Sequence, residues 1–242
     1  MRAVPPYRPP VWRLPTTVLD RRRTLAALAG CFASTLVPTR AFAQELGSCV
    51  LTPDSGEGPF YFDPELLRVD ITEGVSGAPL ELTMRVVRAG DCATLEGARV
   101  DVWHADAIGL YSGYERQPGT GEPLPSVVGK TFLRGTQLTN QDGQVDFRTI
   151  YPSWYGGRTP HVHFKVFLGG DEAVASQLFF PDEFNNEVFA EWEPYSARSE
   201  RRRTFNADDS FLRGGRVEGA FCEVERIEGG YRANVTVAVQ QG

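Results

Sequence analysis

Near the end of the chain, Tyr231-Arg-Ala-Asn-Val-Thr-Val-Ala-Val239 alternates apolar and polar side chains over nine residues. A period of two belongs to a strand with one buried and one solvated face, and no helix can use it. The same alternation recurs in Leu80-Glu-Leu-Thr-Met-Arg-Val86, with Leu80, Leu82, Met84 and Val86 on one side. Shorter strands are expected at Arg99–Trp103, Val145–Ile150, His161–Leu168 and Ser176–Phe180, separated by turns rich in Gly, Pro and Asp. Gln141-Asp142-Gly143-Gln144 reads as a hairpin signal before the strand at Val145. Only Pro181–Ala190 has helical character, starting at Pro181 or Asp182. The fold class is therefore mainly β: a β-sandwich with long loops and at most a short helix or two.

Residues 1–43 differ from the rest. Asp20-Arg21-Arg22-Arg23-Thr24-Leu25 precedes a short apolar run to Val37, and Ala41-Phe42-Ala43 stands before Gln44. A positive start, a short apolar run and an A-x-A site describe an export signal cleaved after Ala43, and the run is too short to span a bilayer of roughly 30 Å. The paired arginines resemble a twin-arginine signal. Leu28-Ala29-Gly30-Cys31 also resembles a lipoprotein box, so lipidation at Cys31 is a second reading, and a true start near Val18 would remove the Pro-rich opening. Residues 44–242 form the single expected domain, with a periplasmic or extracellular destination.

Without residues 1–43, 18 basic and 30 acidic side chains remain, a net charge of −12. That balance disfavours nucleic acid and anionic membranes as partners. Cys49, Cys92 and Cys222 allow one disulfide and one leftover thiol; Cys49 with Cys92 is the preferred pairing, leaving Cys222 buried or free. Arg198–Arg203 reads as a solvated loop.

The chemistry concentrates in Thr149-Ile-Tyr-Pro-Ser-Trp-Tyr155-Gly-Gly-Arg158-Thr-Pro160-His161-Val-His163-Phe, which holds two of only three histidines. On a strand from His161, alternation sends His161 and His163 to one face and Val162, Phe164, Val166 and Leu168 to the other. Two imidazoles about 6.6 Å apart along one pleat can converge on one ion. Taken alone, His-x-His equally describes two polar residues on a solvated face, an arginine beside a Gly-Gly turn is a surface residue, and a glutamine at a strand start pairs with backbone.

Upstream, Asp101-Val-Trp103-His104-Ala105-Asp106-Ala107-Ile-Gly109-Leu-Tyr111-Ser112 leaves a strand and turns at Gly109, placing Tyr111 in the loop at the strand's end. The ordered set Tyr111, Tyr155, Arg158, His161-x-His163 and Gln177, from Gly58-Pro59-Phe60-Tyr61 to about Phe180, resembles the intradiol ring-cleavage dioxygenases, the group of catechol 1,2-dioxygenase and protocatechuate 3,4-dioxygenase. The resemblance implies a mononuclear non-haem Fe(III), with Tyr111 and His161 as equatorial ligands, Tyr155 and His163 as axial ones, and a hydroxide. Hard phenolate oxygens suit Fe(III), whereas two histidines and a carboxylate suit Fe(II).

By the same resemblance, a 1,2-dihydroxyaromatic substrate binds as a dianion, the displaced Tyr155 phenolate and hydroxide take its protons, and O₂ splits the ring between the hydroxyl-bearing carbons. A cis,cis-muconate-type diacid results, without a separate reductant. Arg158 matches the arginine that stabilises negative charge on the substrate, and Gln177 the pocket glutamine near the hydroxide. Trp103 reads as core packing, Tyr151 as packing against its loop and Tyr114 as a pocket wall, and His104 falls where that family has no ligand. The Gly156-Gly157 turn is shorter than in well-known aromatic-degrading members, and no long N-terminal helical segment of the kind that dimerises catechol 1,2-dioxygenases is apparent; ring substituents and oligomeric state stay open.

Two other classes use parts of this pattern. A cupin-like or zinc hydrolase site also employs His-x-His, but beyond His163 the nearest carboxylates are Asp171 and Glu172, off a cupin's spacing. A secreted, non-catalytic β-sandwich binding module is the other.

Overall fold

The computed structural model describes residues 49–240 apart from 64, 116, 118–125 and 214–218. The chain divides into two units, Met1–Ala43 and Gln44–Gly242, and every described residue belongs to the second. The expected export segment, with Cys31, lies outside the described residues. Among those described, no helix is long and apolar enough to cross a membrane.

Eight strands follow in order: β1 (Pro79–Arg88), β2 (Arg99–His104), β3 (Arg134–Leu138), β4 (Gln144–Ile150), β5 (His161–Leu168), β6 (Asp171–Phe179), β7 (Glu223–Ile227) and β8 (Gly230–Val239). One helix, α1 (Asp182–Glu191), follows β6, with Pro181 at its N-cap, as the sequence predicts. The strands form two four-stranded sheets, β4-β1-β8-β7 and β3-β2-β5-β6. Every pairing is antiparallel except β1 with β8.

The core lies between the sheets, as a mainly β sandwich requires. Leu80, Leu82, Met84 and Val86 of β1 and Ala233, Val235 and Val237 of β8 face Val100 and Val102 of β2 and Val162, Phe164 and Val166 of β5. Each such side chain contributes about 1.5–3 kcal/mol by leaving water. On one flank, residues 66–71 bond to both sheets: Thr136 N donates to Leu66 O and Arg68 N to Thr136 O on β3, while Arg148 N donates to Val69 O and Ile71 N to Arg148 O on β4.

Four details depart from expectation. The turn at Asn140–Gly143 is not a hairpin within one sheet. It carries the chain from β3, whose partner is β2, across to β4, whose partner is β1; Gly143 N still closes it on Asn140 O at 2.9 Å. A turn signal encodes reversal, not which sheet receives the next strand. Second, β3 and β7 were not expected, because Arg134–Leu138 shows no apolar alternation and Glu223–Ile227 is mostly polar and exposed. Third, β6 begins at Asp171, so Gln177 sits near its end rather than its start. Fourth, the 198–203 run is only partly solvated. Arg198 lies over the Trp154 ring at 3.8 Å and bonds Trp154 O at 2.9 Å, and Arg202 pairs with Asp182, while Arg201 and Arg203 are exposed.

The disulfide joins Cys49 and Cys92, Cα atoms 5.4 Å apart, and Cys222 is a buried free thiol, as anticipated. Burial pushes the Cys222 thiol up to about 12.

Candidate metal centre

If Val162, Phe164 and Val166 face the core, the alternate residues of β5 occupy the sheet's outer face. Register extends this as a row across four strands: Arg134 opposite Trp103, Trp103 opposite His163, His163 opposite Gln177. This face is not solvated. Residues 55–63 and 105–114 cover it, and Phe60, Trp103, Ala105, Tyr111 and Tyr155 form a second apolar cluster with Tyr61 and Tyr114 packed against it.

Tyr111 arrives through a tight turn. The Asp106 carboxylate accepts the N–H groups of Ile108 at 3.0 Å and Leu110 at 2.8 Å. Gly109, at φ +93°, seats this turn against the neighbouring chain, since a Cβ there would lie 2.8 Å from Trp154 O and 3.3 Å from Tyr155 Cβ. Tyr155 is thus held beside Tyr111. The next turn closes through Arg158 N donating to Tyr155 O at 3.0 Å, so Tyr155 and Arg158 stand side by side and β5 begins three residues later.

The four side chains singled out as ligands meet. His161 Nε2 lies 3.1 Å from Tyr111 Oη, 3.1 Å from Tyr155 Oη and 3.1 Å from His163 Nε2, and the two phenol oxygens are 3.5 Å apart. Arg158 and Gln177 adjoin them: one terminal nitrogen of Arg158 donates to Gln177 Oε1, and Nη1 lies 3.5 Å from Tyr155 Oη. Residues 57–200 match the family model described as Dioxygenase.

The chain belongs to the intradiol ring-cleavage dioxygenases.

Among relatives of this dioxygenase, the chlorocatechol 1,2-dioxygenase of Cupriavidus pinatubonensis is 32% identical over 184 residues, covering 67% of this chain and 66% of the relative. The catechol 1,2-dioxygenase of Acinetobacter baylyi is 28% identical over 200 residues, covering 72% and 60%. The chain thus spans less than two thirds of the length of the curated relatives it matches, from 41% to 66%. Among solved structures, an intradiol ring-cleavage dioxygenase from Tetranychus urticae superposes with a TM-score of 0.71 at 29% identity, covering 79% of this chain and 95% of that one. Membership implies non-haem iron.

The dioxygenase's own residues fit a cation here. His161 Nδ1 is 2.7 Å from Thr159 O, so it carries the proton and leaves Nε2 a single lone pair. Three polar atoms at 3.1 Å crowd that lone pair, yet only one of them could bond it with a proton; one small cation among the four satisfies all of them. Both imidazoles are neutral: burial holds His161 and His163 well below the usual histidine range, with the Arg158 charge acting the same way. Burial raises both phenols, and for Tyr155 the Arg158 charge opposes it. Among the described residues no group of three or more His, Cys, Asp or Glu is arranged to hold a metal. A cation here would therefore rest on the phenols, and Glu172, the carboxylate a hydrolase would want, pairs with Lys165 at 2.7 Å toward the far end of β5.

The other residues weighed in the sequence fall elsewhere. His104 has Nδ1 on Ala105 O at 2.9 Å and Nε2 on Thr149 Oγ1 at 2.7 Å, so neither nitrogen is available, and burial depresses it to about 4. Tyr151 donates to Asn185 at 3.0 Å under α1, and Tyr114 donates to Tyr61 O at 2.7 Å at the rim of the second cluster. Trp103 packs in a buried cluster, as read, but in the second one rather than between the sheets. Its ring stacks on His163 at the site, on the opposite face from the core; that much follows from alternation once Val100 and Val102 are placed inward. Sequence reasoning did not foresee that Gly58 backs His163, where an added Cβ would lie 3.1 Å from Cε1, and it missed Arg134 and Asp209, which bond the Ser112 peptide and Arg158 respectively. No local pattern marks the last two.

Proposed function

We propose that this chain is an Fe(III)-dependent dioxygenase that cleaves a catechol-type aromatic between its two hydroxyl-bearing carbons, with Tyr111, Tyr155, His161 and His163 holding the iron. The observation that carries it is the crowding of two phenol oxygens and an imidazole nitrogen around His161 Nε2 at 3.1 Å. Ferric iron, when bound, would supply Lewis acidity toward a 1,2-diol and its reaction with O₂. The overall change, diol plus O₂ to diacid, keeps both oxygen atoms in the product and needs no external reductant.

The remaining work belongs to the side chains. Tyr155 is 8% exposed against 1% for Tyr111, so it is the phenol placed to exchange a proton with an entering hydroxyl. Arg158, within 3.5 Å of its oxygen, stabilises negative charge there and on the substrate. Gln177 uses its carbonyl on Arg158, which leaves its buried amide nitrogen, without a partner among the described residues, to donate to a substrate oxygen. Phe60 and Trp103 exclude water from the ligand side chains. Two surface cavities adjoin the site, one of about 580 Å³ lined by Tyr155 and the short Gly156-Gly157 turn and one of about 430 Å³ lined by Gln177 and Phe211.

We further infer that residues 1–43 export the protein; the Cys49–Cys92 disulfide supports an oxidising destination. N-terminal sequencing of the secreted form should begin at Gln44. For the activity, the purified protein should contain about one iron per chain, show phenolate-to-iron absorption in the visible, and take up O₂ with members of a catechol panel, adding both atoms by mass. Stoichiometric zinc in a colourless protein would favour a hydrolase, and no metal at all a binding module.

A further inference from the structure

Arg158 is gripped from a part of the chain beyond the segment that the family model matches. Asp209, 0% exposed, follows a single helical turn at Asn206–Asp208. Its Oδ2 accepts Arg158 Nε at 2.9 Å and Thr159 N at 2.9 Å, and its Oδ1 accepts Phe211 N at 2.9 Å. The Phe211 ring lies 4.3 Å from the guanidinium carbon. A guanidinium is a rigid planar fork, so fixing Nε on a carboxylate, one terminal nitrogen on Gln177 and the plane on a ring leaves the direction of Nη1 no freedom. Nη1 is the nitrogen at Tyr155 Oη. The same carboxylate reaches the second arm of the site, because the carbonyl of the Thr159 it holds takes the Nδ1 proton of His161.

We propose that Asp209 is a positioning residue, which sets the orientation of Arg158 and the peptide behind His161 without touching substrate. The kinetic half of this rests on the function proposed above; the geometric half does not. Asp209→Asn keeps the size of the side chain but removes its charge and turns one acceptor oxygen into an NH2 group, so Arg158 Nε, Thr159 N and Phe211 N can no longer all be accepted. Misplacement of a charged group by about 1 Å costs up to roughly a hundredfold in rate, so kcat should fall about ten- to a hundredfold while KM moves less than about threefold. Iron content should stay stoichiometric, and the phenolate-to-iron band should move as it does in Arg158→Lys. The double variant should be no slower than Arg158→Lys alone, because both changes remove one arrangement.

Wild-type kcat and band in Asp209→Asn, or losses that multiply in the double variant, would overturn the proposal. Should Asp209→Asn fail to fold, a crystal structure of the wild-type protein decides: Arg158 Nε bonded to Asp209 upholds the role, and Nε turned elsewhere overturns it. A wild type without iron or O₂ uptake would sink the proposed function, while that contact would still be there to read.

Discussion

The imidazole of His163 lies nearly parallel to the indole of Trp103, ring centroids 5.0 Å apart and planes 11° apart. Gly58 approaches the ring's Cε1, to which a Cβ at that position would come within 3.1 Å. His163 Nδ1 has no hydrogen-bond partner among the described residues. Packing, rather than a proton, therefore aims this ring, whereas His161 is aimed by the Thr159 carbonyl.

Gly58→Ala tests that packing. At φ +73° a non-glycine residue costs about 1–2 kcal/mol, and the new methyl also presses on His163. Metal analysis and thermal unfolding should show lower iron occupancy and a lower Tm. Full occupancy would mean that residues 55–63 cover the ring without holding it.

Tyr155→Phe and Tyr151→Phe separate ligand from packing among the phenols. The first should weaken the visible band and slow turnover; the second removes only the hydrogen bond to Asn185 and should cost about 1 kcal/mol of stability with the colour intact. Equal bleaching in both would refute the assignment.

His104 supplies a pH test. Its folded-state value, about 4, lies below the ordinary 6.5, so between these the unfolded chain binds a proton that the folded one refuses. Stability should therefore fall as pH drops from about 6.5 toward 4, by about 3 kcal/mol from this group. Denaturant unfolding across that range should give a flatter profile for His104→Gln than for the wild type. His161 and His163 shift in the same direction and keep a slope in both proteins.

Cys49→Ser opens a loop of sequence separation 43, and no described hydrogen bond of Tyr111, Tyr155, His161 or His163 goes to either cysteine. Unfolding free energy should drop by about 2–4 kcal/mol, and the visible spectrum should not change. A changed spectrum would tie the disulfide to residues 55–63, which follow Cys49 directly.

Much of this was legible in the residues, for physical reasons. Leu80–Val86 and Tyr231–Val239 bury one face each, so period two declared them; His161–Leu168 is buried on both faces and was declared by the alternation of imidazole and apolar side chains after Pro160, and Pro181 before Asp182 declared α1. Tyr155 and Arg158 were legible as neighbours because a Gly-Gly turn spans them. What stayed hidden depends on contacts between distant parts of the chain. β4 could have joined either sheet, since Asn140–Gly143 reverses the backbone the same way for both. Glu223–Ile227 buries too little to show a pattern. Asp209 lies 51 residues from Arg158, and an aspartate in a polar turn looks the same whether it faces water or a guanidinium.

The ribbon at 66–71 that bonds to both β3 and β4 has a further effect. Each of those strands ends its sheet, and an end strand left bare is a template on which another molecule can stack. By occupying N–H and C=O groups at Thr136 and Arg148, this ribbon denies strangers the same foothold on two edges at once. Resistance to clumping on that flank is thus built into the backbone and needs no particular surface side chain.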